Sequence, residues 1–150
     1  SMGMFEHVGH KNYRTYFEKA RSVIKDGGLF LLHTIGQQHS SDTINPWLEK
    51  YIFPGGVIPS MAQIGKAIDG LWTIVDTHNI GPHYDRTLCA WNDNFEANWT
   101  RRNTPEDVRF YRMWRYYLLT CAGGFRARSL QVWQFVLSTT GVPDGYVFAR

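Results

Sequence analysis

The sequence predicts an α/β fold built on a doubly wound sheet. Three observations predict it. Helical and strand-like segments alternate along the chain. The first strand is a near-continuous apolar run directly behind an amphipathic helix, the mark of a buried parallel strand. The length of 150 residues suits one domain or part of one.

The elements follow in order. From Lys11 to Lys25, Tyr13, Tyr16, Phe17, Ala20, Val23 and Ile24 recur every three to four residues, as an amphipathic helix requires. Gly27 and Gly28 end it, because glycine accepts the left-handed conformation at a helix terminus. The run Leu29-Phe30-Leu31-Leu32, continuing to Ile35, is the first strand. A short helix is expected over Pro46 to Phe53, then a turn at Pro54-Gly55-Gly56. Ser60-Met61-Ala62-Gln63 fits a capping box and predicts a helix toward Ile68. Leu71 to His78 reads as a strand, and Asp85 to Trp99 as a helix. Thr104 and Pro105 open another helix, with Glu106 and Asp107 suiting its positive end. Val108, Tyr111, Arg115, Leu118 and Ala122 share one stripe of it, which reads as core; Gly123-Gly124 is expected to interrupt it. Leu130 to Ser138 is the last strand, and the tail from Gly141 is expected to be peripheral.

Composition narrows the function classes. With 43% hydrophobic and 19% charged residues the chain is globular, neither a disordered tail nor a collagen-like fibre. No apolar run approaches the roughly 20 residues of a membrane span, and no secretory signal is visible. Two cysteines, Cys89 and Cys121, are too few for a disulfide scaffold, which points to a reduced cytosolic protein. The net charge of +3 is uneven: residues 1–85 hold 7 Lys+Arg against 8 Asp+Glu, residues 86–150 hold 9 against 5, and all nine are arginine. Arginine forks onto phosphate, so this basic, aromatic-rich half suits a phosphate-bearing partner, or else an ordinary solvated face.

Three strands are few for a doubly wound sheet, and no G-x-G-x-x-G or P-loop pattern occurs. Both facts suggest the back half of a larger domain. Five blocks then stand in a recognisable order: SMGMFEHVG at 1–9, LLHTIG at 31–36, KYIFPGGVIPS at 50–60, HNIGPHYDRTL at 78–88 and CAGGFRARSLQVWQ at 121–134. Together they resemble the bacterial cyclopropane-fatty-acyl-phospholipid synthases over about residues 1–142. The mycolic-acid cyclopropane synthases are similar, but the FRAR-x-x-Q-x-W block leans toward the phospholipid enzymes.

The resemblance implies the C-terminal half of a Rossmann-like class I S-adenosylmethionine methyltransferase sheet, beginning just after its fourth strand. The Gly-rich cofactor loop and an N-terminal domain are then expected outside residues 1–150, and this chain alone is expected to be inactive. The implied reaction adds a methylene across the cis double bond of an acyl chain in a membrane phospholipid. An alkene is a weak nucleophile, so the sulfonium drives transfer of a methyl cation equivalent. The resulting carbocation needs a dry pocket with electron-rich aromatic faces. A base, in this family a bound bicarbonate, then removes a proton from the new methyl and the ring closes.

By the same resemblance Glu6, in FEHVG, orients the bicarbonate. His33, in LLHTIG, contacts the anion, Ile35 contributes a backbone contact, and Tyr84 bonds it through its hydroxyl. From the residues alone, His33 and Tyr84 are expected at or just beyond the carboxyl ends of strands, where open α/β sheets bind ligands. Without the resemblance His33 reads as a packed or solvated residue, Glu6 equally as a helix cap, and Tyr84 is uninformative. Cys121 reads as a small buried residue. His7/His10 and His78/His83 lack a helical frame for metal, so no metal site is assigned. Asn98-Trp99-Thr100 is a glycosylation sequon by pattern only, and Arg126 and Arg128 suit either lipid phosphate or internal carboxylates.

The expected setting is cytoplasmic, peripheral on the inner face of the membrane, with no nucleic acid. A homodimer is also expected, because half a sheet leaves an open edge. The alternatives are a related S-adenosylmethionine methyltransferase acting on another small-molecule or lipid substrate, and a non-catalytic lipid-binding module. An RNA-binding methyltransferase fits the charge but not the motif blocks.

Overall fold

The computed structural model describes residues 1–100 and 104–148. Three of the nine arginines of the basic half, Arg101, Arg102 and Arg150, lie outside the described residues, as does the end of the tail. The chain divides into two compact units, Ser1–Ile80 with Gln131–Arg150, and Gly81–Leu130.

The first unit is built on strands β1 (Leu29–Gln37), β2 (Thr73–Asn79) and β3 (Leu130–Ser138) in the order β1-β3-β2. β2 and β3 are antiparallel, with Thr73 opposite Ser138 and Asn79 opposite Trp133. On β1 the opening residues form a parallel bridge between Met2 and His33: the His33 N–H donates to the Ser1 carbonyl (2.8 Å) and the Gly3 N–H to the His33 carbonyl (3.3 Å). Parallel pairing of β1 is therefore present there, but the sheet is not uniformly parallel. β3 is buried or half-buried on both faces, and such a run does not disclose strand direction.

β1 also alternates more than its composition suggests. Leu32, Thr34 and Gly36 are buried, whereas Leu29 and Leu31 are exposed. It continues past Ile35 because the Gln37 N–H donates to the Pro59 carbonyl (3.0 Å) and Gln37 bridges Ser60. Consequently His33 sits in the middle of β1 rather than at its carboxyl end.

Helix α1 (Tyr13–Val23) follows two short 3-10 turns and buries Tyr13 and Phe17. Helix α2 (Pro46–Tyr51) is capped by Asn45, whose side-chain oxygen accepts from the Trp47 N–H at 2.9 Å. Helix α3 (Met61–Ile68) carries the full capping box: Ser60 Oγ accepts from the Gln63 N–H (3.1 Å) and Gln63 Oε1 from the Ser60 N–H (2.9 Å). The core joins Phe5, Phe17, Leu32, Ile64, Phe135 and Leu137 with Trp72 and Trp133 around them. Each such buried side chain contributes about 1.5–3 kcal/mol.

The second unit pairs α4 (Gly81–Asn98) with α5 (Pro105–Arg126). α4 begins four residues earlier than its periodicity predicts, since Pro82 is tolerated in a first turn. Tyr84 therefore stands on the opening turn of a helix, not in a loop. α5 is capped by Thr104 Oγ1, which accepts from the Asp107 N–H at 3.2 Å, and it runs through Gly123-Gly124 without interruption. Its buried stripe is Leu118, Cys121, Ala122 and Phe125, while Val108, expected in the core, is half exposed. No described helix is long and apolar enough to cross a membrane.

Candidate active site

The site starts where the opening segment leaves β1. After the His33 carbonyl has accepted from the Gly3 N–H, the next β1 donor on that edge, the Ile35 N–H, meets a side chain instead of a strand. Glu6 Oε1 accepts from it at 2.8 Å. The 3-10 turn Phe5–His7 makes this possible by folding the chain back over β1, anchored by Phe5, which is fully buried and stacked on Tyr13 at 4.2 Å. A hydrogen bond to an ionised carboxylate is worth about 1.5–3 kcal/mol. The other oxygen, Glu6 Oε2, is buried without a hydrogen-bond partner. Burial pushes the nearby Tyr13 phenol up to about 12, with the charge of Glu6 and then Asp42 adding to it.

Ile35 is fully engaged through its backbone: its N–H is held by Glu6, and its carbonyl accepts from Thr34 Oγ1 at 3.0 Å. Any contact of its backbone with an anion therefore runs through a shared atom. His33, two residues back and half-buried, is bonded on its ring: Nδ1 lies 3.3 Å from the side-chain Nε2 of Gln134 on β3. The structure thus brings Glu6 and Ile35 into contact and sets His33 on the same strand. Tyr84 belongs to the second unit, where its ring lies 5.3 Å from that of Phe125.

Gln134 went unnoticed in the sequence although it stands in a quoted block. Its signal was a polar residue flanked by the bulky aromatics Trp133 and Phe135.

The remaining candidates resolve locally. Arg126 forks onto Asp85, Nε to Oδ2 and Nη2 to Oδ1, both at 2.9 Å, so it pairs with an internal carboxylate rather than standing free for phosphate. That bond holds the Asp85 carboxyl below its ordinary range. Cys121 is buried, and burial pushes its thiol up to about 11, which suits an inert packing role. Among the described residues no group of three or more His, Cys, Asp or Glu side chains is placed to hold a metal ion.

A family model described as mycolic acid cyclopropane synthetase matches residues 1–135. The chain belongs to that family. It is 48% identical to the cyclopropane-fatty-acyl-phospholipid synthase of Escherichia coli K12 over 150 residues, which is all of this chain and 39% of that protein. It is 34% identical to the tuberculostearic acid methyltransferase UfaA1 of Mycobacterium tuberculosis over 151 residues, 95% of this chain and 35% of that protein. Among solved structures it resembles the mycolic acid cyclopropane synthase CmaA1 complexed with SAH and CTAB. The TM-score is 0.77 and the identity 28%, over 91% of this chain and 53% of that one. The fold is accordingly that of the Rossmann-like class I S-adenosylmethionine methyltransferases, and the chain spans well under half the length of the synthase of Escherichia coli and of UfaA1.

Proposed function

We propose that the whole protein is an S-adenosylmethionine-dependent cyclopropane synthase acting on the cis double bond of acyl chains in membrane phospholipid. In this reading residues 1–150 form the C-terminal half of the catalytic sheet. The Gly-rich cofactor loop and an N-terminal domain lie outside them, and residues 1–150 by themselves are inactive. When bound, S-adenosylmethionine would supply a methyl cation equivalent, and bicarbonate, which Glu6, His33, Ile35 and Tyr84 would hold, would supply the base. The observation that carries the reading is the state of Glu6. One oxygen is locked onto the strand and the other is buried with nothing to accept from, and this stands on a chain 48% identical to a cyclopropane synthase.

The residues present fit bicarbonate, which has one O–H to give and negative oxygens to be held. Glu6 Oε2 is an acceptor in need of a donor, and the His33 ring supplies a donor for an anionic oxygen. The Ile35 carbonyl, which already accepts from Thr34 Oγ1, is the alternative acceptor for that single O–H. By the family resemblance, Tyr84 is assigned a hydroxyl donor and an aromatic face suited to a developing cation.

The same reading puts the protein in the cytoplasm, peripheral on the inner membrane face, as a homodimer. The exposed Leu29 and Leu31 of β1 and Ile74 of β2 support a further covering surface, and the arginine-rich half supports an anionic lipid partner.

The test is incubation of the complete protein with S-adenosylmethionine and unsaturated phospholipid, with and without bicarbonate. Lipid mass and proton NMR are then read together, since a ring and a methyl branch on an alkene have equal mass. Cyclopropane protons that vanish when bicarbonate is depleted are expected. Rates indifferent to bicarbonate, or a methyl branch without a ring, would overturn the reading; the likeness to UfaA1 makes the methyl branch the second reading.

A further inference from the structure

Gln134 is 101 residues from His33 in sequence, and the sheet places their side chains on adjacent strands with Nε2 3.3 Å from Nδ1. We propose that Gln134 is a positioning residue that donates its side-chain N–H to Nδ1 of His33, so that the imidazole proton resides on Nε2. The assignment rests on the reading of His33 as an anion-holding group, because only then does the placement of that proton matter to function.

The argument is one of donor counting. A neutral imidazole has one N–H and one bare nitrogen, and the partner of one nitrogen dictates the state of the other. Nδ1 accepting from an amide leaves Nε2 as the only donor on the ring, and a donor is what an anionic oxygen requires. A carboxylate in place of the amide would accept from an Nδ1–H, turning Nε2 into a bare acceptor. It would also add a second negative charge to a site that already contains Glu6. Glutamine sets the proton without charge.

The strand that carries the amide is fixed. Its neighbours Trp133 and Phe135 are 3% and 0% exposed and fix β3, while cross-strand pairing sets Gln134 opposite His78. A side chain recruited only for packing would be apolar here, as at Val132 and Val136.

The test uses the complete protein with ring-15N-labelled histidine, His33 being assigned through a His33→Ala spectrum. In the absence of bicarbonate, the proton is expected on Nε2. Gln134→Glu, which is nearly isosteric, should move it to Nδ1 or give the doubly protonated ring. Gln134→Leu should give mixed tautomers. Near-UV circular dichroism of the Trp133 environment verifies folding of both variants. The apparent affinity for bicarbonate should fall about 10- to 100-fold in Gln134→Glu, the range seen for outer partners of metal-bound histidines. A proton on Nδ1 in the unsubstituted protein, or a tautomer unmoved by Gln134→Glu, overturns the assignment. If instead the tautomer behaves as expected but bicarbonate leaves the His33 signals unmoved, the anion reading fails while the role of Gln134 in setting the proton stands.

Discussion

Gly36→Ala is expected to destabilise the protein through a single neighbour, Trp133. A Cβ placed on Gly36 would lie 2.1 Å from Cζ3, 2.3 Å from Cε3 and 2.6 Å from Cη2 of the indole. Carbon atoms rest at about 3.5–4.0 Å, so all three contacts fall deep in the repulsive wall. The ring cannot step aside: it is buried, its Nε1–H donates to Gln131 Oε1 at 3.0 Å, and it meets Phe135 edge-on at 6.0 Å. Overpacking a well-filled core costs about 1–3 kcal/mol, and a fixed ring facing a fixed strand places this case at the top of that range. The assay is a double-mutant cycle in urea on the complete protein, pairing Gly36→Ala with Trp133→Leu, which removes the six-membered ring of the indole. A favourable coupling of at least about 1 kcal/mol is expected. If Gly36→Ala costs the same in both backgrounds, Trp133 is not the obstacle and the reasoning is refuted.

Three further outcomes are expected. Gly123→Ala, whose Cβ meets nothing within 4 Å, should stabilise α5 by about 1 kcal/mol in urea unfolding, whereas Gly124→Ala, whose Cβ falls 3.0 Å from Leu130 Cδ1, should gain less or lose. Glu6→Ala should cost about 1.5–3 kcal/mol in the same assay because the Ile35 N–H loses its charged acceptor. Glu6→Gln, which keeps an acceptor, should cost less yet still weaken bicarbonate dependence in turnover. The Asp85 carboxyl is held below its ordinary value of 3.8, first by its hydrogen bond from Arg126, so the stability it contributes is present above that value and lost as pH falls through its folded value. Thermal unfolding should therefore show a smaller acid-side loss for Asp85→Asn, and equal slopes would count against the pairing.

What the sequence disclosed was chemistry that is local along the chain. The Ser60–Gln63 capping box formed as read because both of its bonds span only three residues. The bounds of β3 were legible because a long apolar run has few alternatives, but its direction was not, since that depends on which neighbour it meets. Gly123-Gly124 misled for a related reason. A glycine pair costs a helix about 2 kcal/mol, less than α5 recovers by carrying its stripe from Leu118 through Cys121 and Ala122 to Phe125. The site divides in the same way. Glu6 and His33 were reachable through motifs, yet the bond from Ile35 to Glu6 spans 29 residues and that from Gln134 to His33 spans 101. No periodicity encodes either. In a sheet, the residue that tunes a functional side chain comes from the adjacent strand, and this sheet draws that strand from the far end of the chain. His33 can therefore be named from a motif, while its partner Gln134 becomes visible only in the folded protein.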